Sequence, residues 1–393
     1  MSEVIERKLS DIGCEFISGF GFKSSDYINT GIPLIKIGNI QNRIVSVDIN
    51  GTYIPENIVN DKIKQVFLSN NDVLIAMTGQ GSVGRVGRLK LRNNDKALLN
   101  QRVGKFVCDE KNINVDYLYY ILTSDKYQDY LFNTGAGSGQ PNLSPDLILQ
   151  TEIPWCEYTE QKAIAEVLSS LDDKIDLLHR QNKTLEQMAE TLFLQWFVEE
   201  AGEDWGEGVL PDEFDFLMGQ SPKGSSFNEI KIGMPMFQGN ADFGFRFPSE
   251  RIYTTEPKRL ARPLDTLISV RAPVGAQNMA EKECCIGRGV AAFRYKENHG
   301  FYTYTYFKLE SLMEEIKKFN DEGTVFGSIS KSDFQKMEIV IPPDDLVKKF
   351  EAEVRPMNDK VIKNCGQIRT LQFLRNTLLP KLMSGEVRIA SNG

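Results

Sequence analysis

Asp72-Val-Leu-Ile-Ala-Met-Thr78 returns in altered form as Asp265-Thr-Leu-Ile-Ser-Val-Arg271, and each stretch runs on to a Val-Gly pair, Val83-Gly84 and Val274-Gly275. The correspondence extends outward in both directions. Gly31-Ile-Pro-Leu-Ile-Lys-Ile-Gly-Asn39 is matched by Gly233-Met-Pro-Met-Phe-Gln-Gly-Asn240. Leu143-Ser-Pro-Asp-Leu147 leads into Glu152-Ile-Pro154, as Ile329-Ser-Lys-Ser-Asp-Phe334 leads into Glu338-Ile-Val-Ile-Pro342. A long helical pattern follows each copy. The copies stand about 186–202 residues apart, so the repeat is a whole domain plus a helix, far longer than the ~20–50 residues of a solenoid unit.

Inside each copy, short apolar runs bounded by Gly, Pro and Asn predict strands, among them Pro33–Ile37, Val73–Met77 and Leu267–Val270. One helix is expected at Val115–Leu131 and its counterpart at Tyr302–Phe319. Each half is therefore α+β.

The long helices are clearer. Residues 160–197 hold neither Gly nor Pro, and apolar side chains recur in alternating steps of four and three at Ile164, Leu168, Leu171, Ile175, Leu178, Leu185, Leu192 and Trp196. Asn182 and Ala189 fill the two remaining places of this heptad seam. The second copy repeats it at Phe350, Val354, Met357, Val361, Ile368, Leu371, Leu378 and Leu382, with Asn364 and Arg375 in seam positions. Pro356 and Pro380 are expected to kink or interrupt that helix, and Gly366 to weaken it. Two seams in one chain pack most simply on each other as an antiparallel coiled coil, with Asn182 fixing the register. The expected architecture is an α+β chain with an internal pseudo-twofold repeat: two similar globular domains (1–158 and 212–343) separated by two long helices (159–198, and 344–393 together with a C-terminal tail), with an acidic linker at 199–211.

At 393 residues the chain exceeds one ordinary domain, and 41% apolar with 25% charged residues is usual for a soluble globular protein. No run of about 18 apolar residues exists to span a membrane. The start, Met1 to Lys8, is charged and lacks a signal-peptide core. A cytoplasmic protein is expected. Of the six cysteines (Cys14, Cys108, Cys156, Cys284, Cys285, Cys365) none forms a CxxC pair, and the only histidines are His179 and His299. This argues against a Cys/His zinc site and for free, buried or partly buried thiols.

Net charge is −8, yet it is segregated. Residues 62–105 hold nine Lys/Arg against two acids, residues 246–294 nine against five, and 199–215 eight acids without a base. Two basic blocks on an acidic body suggest two surfaces facing a polyanion, although solvated basic faces would look the same.

Catalytic signatures are missing. Gly79-Gln-Gly-Ser-Val-Gly84 matches GxGxxG after a strand-like run. The following Arg85–Leu91 alternates like a strand and opens no helix, and the second copy replaces the glycines with Arg271-Ala-Pro-Val-Gly275. A nucleotide cofactor is not expected there; a Gly-rich loop also lets backbone approach DNA closely. There is no GxxxxGK[ST], no His–acid pairing for hydrolysis, and no Asn/Asp-Pro-Pro-aromatic motif of an adenine methyltransferase; Ile341-Pro-Pro-Asp344 does not qualify.

With these residues the chain resembles, over roughly 8–388, the specificity (S) subunits of type I restriction–modification systems. The likeness rests on Gly31–Asn39, Asp72–Gly84, Ile153-Pro154 followed by Glu160-Gln-Lys-Ala-Ile164, Gly219-Gln-Ser-Pro-Lys223 leading to Gly233-Met-Pro235, and Leu378-Leu-Pro-Lys-Leu-Met-Ser-Gly-Glu386. The resemblance implies two target-recognition domains, each reading one half of a bipartite sequence in double-stranded DNA. It implies helices that set the gap and dock two methyltransferase (M) subunits, with restriction (R) subunits joining through the complex. The chain itself would be non-catalytic and carry no cofactor; S-adenosylmethionine, ATP and Mg would belong to the partners. A coiled-coil scaffold that bridges partners without reading DNA is the alternative.

Polar side chains in the Gly-rich loops are the types that read base edges. In the first domain the candidates are Lys36, Asn39, Thr78, Gln80, Ser82, Arg85, Gln101, Arg102, Ser138, Gln140 and Asn142. In the second they are Lys223, Gln238, Asn240, Arg271, Gln277, Arg288, Ser328 and Lys331. No catalytic or metal-binding residue is expected.

Overall fold

A computed structural model describes residues 5–47, 51–91, 95–136, 141–318 and 327–389. The chain divides into two compact units, residues 1–175 with 370–393, and residues 176–369. Both dividing points fall inside the long helices α1 (Tyr158–Leu194) and α2 (Asp344–Met383).

In the first unit, Val73–Ala76 is buried along its whole length. Val73 and Ile75 face the core beneath the helices, and Leu74 and Ala76 face a second core on the other side. A continuous apolar run therefore makes a strand buried on both faces. It lies in a sheet ordered Cys14–Ser18, Val103–Cys108, Val73–Ala76, Val86–Lys90, Ile44–Ser46 and Ile40–Gln41. A second sheet sets Ile32–Ile35 parallel to Ala97–Leu99. The second unit repeats this plan. Phe214–Met218, Val290–Tyr295, Thr266–Ser269 and Gln277–Met279 form the matching sheet, and Met234–Phe237 runs parallel to Cys284–Ile286. Leu267 and Ile268 again point into different cores.

The helix expected at Val115–Leu131 is two helices, Val115–Leu122 and Asp125–Ala136. Thr123 keeps its helical bond to the Tyr119 carbonyl (3.0 Å), but Ser124 turns both its N–H (3.1 Å) and its hydroxyl (2.7 Å) to the Ile121 carbonyl, a tightened i to i−3 turn that ends the first helix. Its counterpart likewise divides into Tyr302–Ser311 and Met313–Lys318; Phe319 lies outside the described residues.

The helix seams pair as expected, antiparallel within each unit. In the second unit Asn364 Nδ2 donates to Asn182 Oδ1 (2.8 Å), both residues fully buried, and Phe193 meets Phe350 edge-on. In the first, Arg375 Nη1 bonds Asp172 (2.6 Å), which explains a charged seam position. Ile164, Leu168, Ile175, Leu178, Phe350, Val354, Val361 and Ile368 are buried; Leu171, Leu185, Met357, Leu371 and Leu378 are half-buried. Towards the end of α1 the buried stripe moves from Leu192 and Trp196, which are half-buried, to Ala189, Phe193 and Phe197. A straight helix drifts by about 20° per heptad against a 3.5-residue repeat, so the inward face advances along the chain. Pro356 and Pro380 do not interrupt α2, which runs unbroken past both. Both prolines are exposed, so the carbonyls they leave unpaired can face water.

Where the second domain meets α1, Arg246 is shut away from solvent, bonds Glu186 (2.6 Å), and lies 3.9 Å over the Tyr306 ring. Partial desolvation, with Glu190 and Glu186 adding like charge against Arg246, pushes up to about 7 the carboxyl of Glu310, which itself stands on the exposed rim of this corner. Burial also raises Glu186, with Arg246 opposing. An acid raised in the folded state keeps its proton after the unfolded chain has lost it. Stability is therefore expected to fall as pH rises from about 4.5 to about 7 and to level off above. Glu310→Gln should flatten melting temperature against pH across that window; an undiminished slope in the variant would count against this assignment.

Candidate nucleic-acid interface

One edge of the first domain is assembled from four loops tied by backbone hydrogen bonds. Gly19 N–H donates to Val103 O (3.1 Å), Gln101 N–H to Phe20 O (3.0 Å), Met77 N–H to Arg102 O (2.9 Å) and Leu143 N–H to Met77 O (2.7 Å). Thr78 and Asn142 form an isolated bridge. The second domain repeats three of these bonds with its own residues, and in place of the fourth Arg288 N–H donates to the Ser221 hydroxyl (3.2 Å). Gly219 N–H donates to Val290 O (2.9 Å), Val270 N–H to Gly289 O (2.9 Å) and Ile329 N–H to Val270 O (3.1 Å), and Arg271 bridges Ser328. Gly19 and Gly219 are required here: a Cβ on either would lie 2.1 Å from a backbone oxygen, of Asn100 and Gly287 respectively.

These bonds give a residue-by-residue equivalence between the two domains. Val103 N–H donates to Asn100 O as Val290 N–H donates to Gly287 O. Gln101 therefore stands where Arg288 stands, and Arg102 where Gly289 stands. Lys23 and Lys223 each precede a short 3-10 turn, Ser24–Asp26 and Gly224–Ser226. Lys23, exposed and equivalent to Lys223, was absent from the sequence candidates; its signal was the shared spacing of Gly19 to Lys23 and Gly219 to Lys223.

Gln80, Gln101, Arg102, Asn142, Lys223, Gln238, Asn240, Arg271, Arg288, Ser328 and Lys331 are exposed. Thr78 and Ser82 are half-buried at the same edge. Lys331 begins the helix Lys331–Lys336. Ser138 and Gln140 lie outside the described residues.

Four candidates are engaged in holding the fold. Asn39 is 2% exposed; its Oδ1 accepts from Lys36 N–H (2.9 Å) and its Nδ2 donates to Ser46 O (2.8 Å), so it closes a turn rather than facing a ligand. In the second domain Asp242 does this work, accepting from Gln238 N–H (2.9 Å), and Asn240 is free of it. Lys36 lies over the Tyr27 ring and donates to Thr52 (2.7 Å). Arg85 folds back onto Gly81 O (2.6 Å). Gln277 donates to Tyr306 O (2.8 Å) on the helix behind the sheet.

The basic blocks are less cationic than their composition suggests. Lys64, Arg88 and Lys105 pair with Asp61, Asp116 and Asp72. Arg246, Arg251, Lys282 and Arg294 pair with Glu186, Asp242, Glu250 and Asp265. Arg92 lies outside the described residues. Much of the block charge thus ties strands and loops together, and of the bases left exposed Arg102, Arg271 and Arg288 stand at the loop edges.

Gly79–Gly84 is a turn between the antiparallel strands Val73–Ala76 and Val86–Lys90. It presents no helix N-terminus, the feature a dinucleotide pyrophosphate requires. Among the described residues the six cysteines are free and buried or half-buried, and no group of three His, Cys, Asp or Glu could hold a metal. No helix among the described residues is long and apolar enough to cross a membrane.

Comparison with known proteins places this geometry. Residues 1–187 and 252–349 match the family described as the type I restriction modification DNA specificity domain. The chain is 27% identical over 381 residues to the putative type I restriction enzyme MjaX specificity subunit of Methanocaldococcus jannaschii, covering 91% of this chain and 88% of that one. It is 25% identical over 418 residues to the MjaIX specificity subunit of the same organism, covering 98% and 93%. The crystal structure of a type I restriction-modification system S subunit from M. genitalium shares the fold, with a TM-score of 0.65 and 19% identity over 98% of this chain and 97% of that one.

Proposed function

The chain belongs to the type I restriction modification DNA specificity family, and from that premise we propose that it is the non-catalytic, sequence-reading subunit of a type I restriction–modification complex. Each domain reads one half of a bipartite site in double-stranded DNA. The helix pair sets the gap and docks two methyltransferase subunits, and restriction subunits join through the complex. S-adenosylmethionine, ATP and Mg are bound by those partners.

The observation that carries this reading is the repeated loop edge. Both domains use the same backbone bonds to hold different polar side chains, Gln101 against Arg288 and Thr78 against Arg271. A fixed frame with exchanged tips is what two different half-sites require. Arginine presents paired donors, and glutamine a donor beside an acceptor, the two patterns that discriminate bases in the major groove. The net charge of −8 leaves much of the phosphate neutralisation to the partners.

Long-read mapping of methylated bases in the host, with and without this gene, tests the function. The target should be bipartite and should vanish with the gene. Arg288→Ala should weaken or relax recognition of one half-site by ~1–3 kcal/mol, and Gln101→Ala should act on the other half. A loss spread evenly over all DNA sequences would mark them as phosphate contacts.

A further inference from the structure

Both long helices grip one corner of the second domain, and the charges run in opposite senses. The domain supplies Arg246 to Glu186 on α1, and α2 supplies Arg369 to Glu281 on the domain. Arg369 engages both carboxylate oxygens and lies 5.7 Å from the centre of the Phe247 ring. The Arg246 side chain is 0% exposed. Its Nη2 has Glu186, and its Nε and Nη1 have no hydrogen-bond partner among the described residues. A guanidinium so placed has no water to turn to, so Glu186 holds it at one position.

This corner connects directly to the reading edge. The loop that exposes Gln238 and Asn240 closes on Asp242 and continues, within four residues, to Arg246. The Arg246 carbonyl accepts from Met279 N–H (2.9 Å) in the strand Gln277–Met279. The first domain has the same backbone contact, Arg88 N–H to Arg43 O (3.0 Å), but Arg43 pairs with Asp125 of its own domain (3.6 Å). There the helix charges Arg375 and Asp172 satisfy each other. The clamp is thus built into the second copy, and among the described residues no ion pair joins Arg43 to the helix pair at the equivalent place in the first.

We propose that Arg246–Glu186 and Arg369–Glu281 are a positioning device that holds the reading edge of the second domain fixed against the helix pair, and so restricts the gap at which its half-site is accepted. The inference rests on the DNA-reading function above. A domain held at two points by opposite charges cannot pivot to meet a half-site displaced by one base pair. A domain released from them keeps its aromatic seat on the helices, through Tyr304 against Phe193, Phe197 and Phe350, and is free to tilt about it.

The test uses the full chain in complex with its methyltransferase subunits, and duplexes carrying the mapped target with its gap shortened or lengthened by one base pair. The wild-type complex should prefer the native gap by about tenfold or more, and Arg369→Glu should cut that preference to about threefold while leaving half-site sequence preference unchanged. The double variant Arg369→Glu with Glu281→Arg should restore it, an outcome that a merely structural loss would not give. Arg246→Met should relax the gap further. If it fails to fold, the exposed Arg369–Glu281 pair still decides the matter. Full gap discrimination in Arg369→Glu, or failure of the charge swap to restore it, overturns the clamp. Methylation by the wild-type complex without any sequence preference would instead remove the DNA-reading function beneath it.

Discussion

Four residues inserted into each long helix, after Ile175 in α1 and after Arg369 in α2, should lengthen the gap between half-sites by about two base pairs and leave both half-site sequences unchanged. The insertions fall where the chain divides between its two units, so neither domain core is cut. Each helix grows by ~6 Å at 1.5 Å per residue, close to two steps of ~3.4 Å along DNA. Four residues advance a helix by about 40° beyond a full turn. Two base pairs of a ~10.5-pair turn rotate DNA by about 70°. The residual ~30° is small enough for one bipartite complex to take up. The same insertion in α1 alone, after Met188, should behave differently. It lies between Glu186 and Phe193 and would slide the aromatic end of α1 off Phe350. Methylation mapping distinguishes the cases. An unchanged gap in a fully active double-insertion complex would show that the helices do not act as the ruler.

Phe350→Ala should be among the most destabilising single substitutions in the second unit. Phe350 is fully buried, and its ring lies 5.6, 5.9 and 5.2 Å from those of Phe193, Trp196 and Phe197, and 6.3 Å from Tyr304. Removing a buried phenylalanine costs about 3–5 kcal/mol through lost transfer energy and the cavity left behind. In a unit of this size that lowers the melting temperature by on the order of 10 °C. Phe373→Ala, on a side chain 69% exposed, should move it by little. Urea and thermal unfolding of both variants measure the contrast. A loss below about 1 kcal/mol for Phe350→Ala would mean that the aromatic cluster re-packs around the gap.

Legibility in the sequence followed the range of the physics involved. Heptad spacing in 160–197 announced α1, because a helical face repeats locally and needs no knowledge of its partner. The strands at Val73 and Thr266 were visible because apolar runs between Gly and Asn admit little else. The break at Thr123–Ser124 was hidden, since hydroxyls that cap a carbonyl in one place ride a continuous helix in another. Pro356 and Pro380 misled for a similar reason: proline removes one bond, and the packed seam of α2 carries the helix across it.

The candidate interface was legible only as a set of loops. Residue type singled out Asn39 and Gln277, and the fold uses both internally. It could not show that Gln101 and Arg288 occupy the same place in the two domains, which the backbone bonds reveal.

The sequence by itself determined the two-copy plan, the α+β class, the two helices and the antiparallel seam, because each depends on periodicity and composition along the chain. Tertiary structure decided which charges remain for a ligand. Lys105, Arg88, Arg246 and Arg294 are ordinary basic letters until the fold brings Asp72, Asp116, Glu186 and Asp265 within 2.8 Å or less of them. It also decided where Arg246 sits, sealed between the second domain and α1. Coulomb attraction at a few ångströms outweighs any sequence-local preference, and the partners that supply it lie from 28 to 60 residues away.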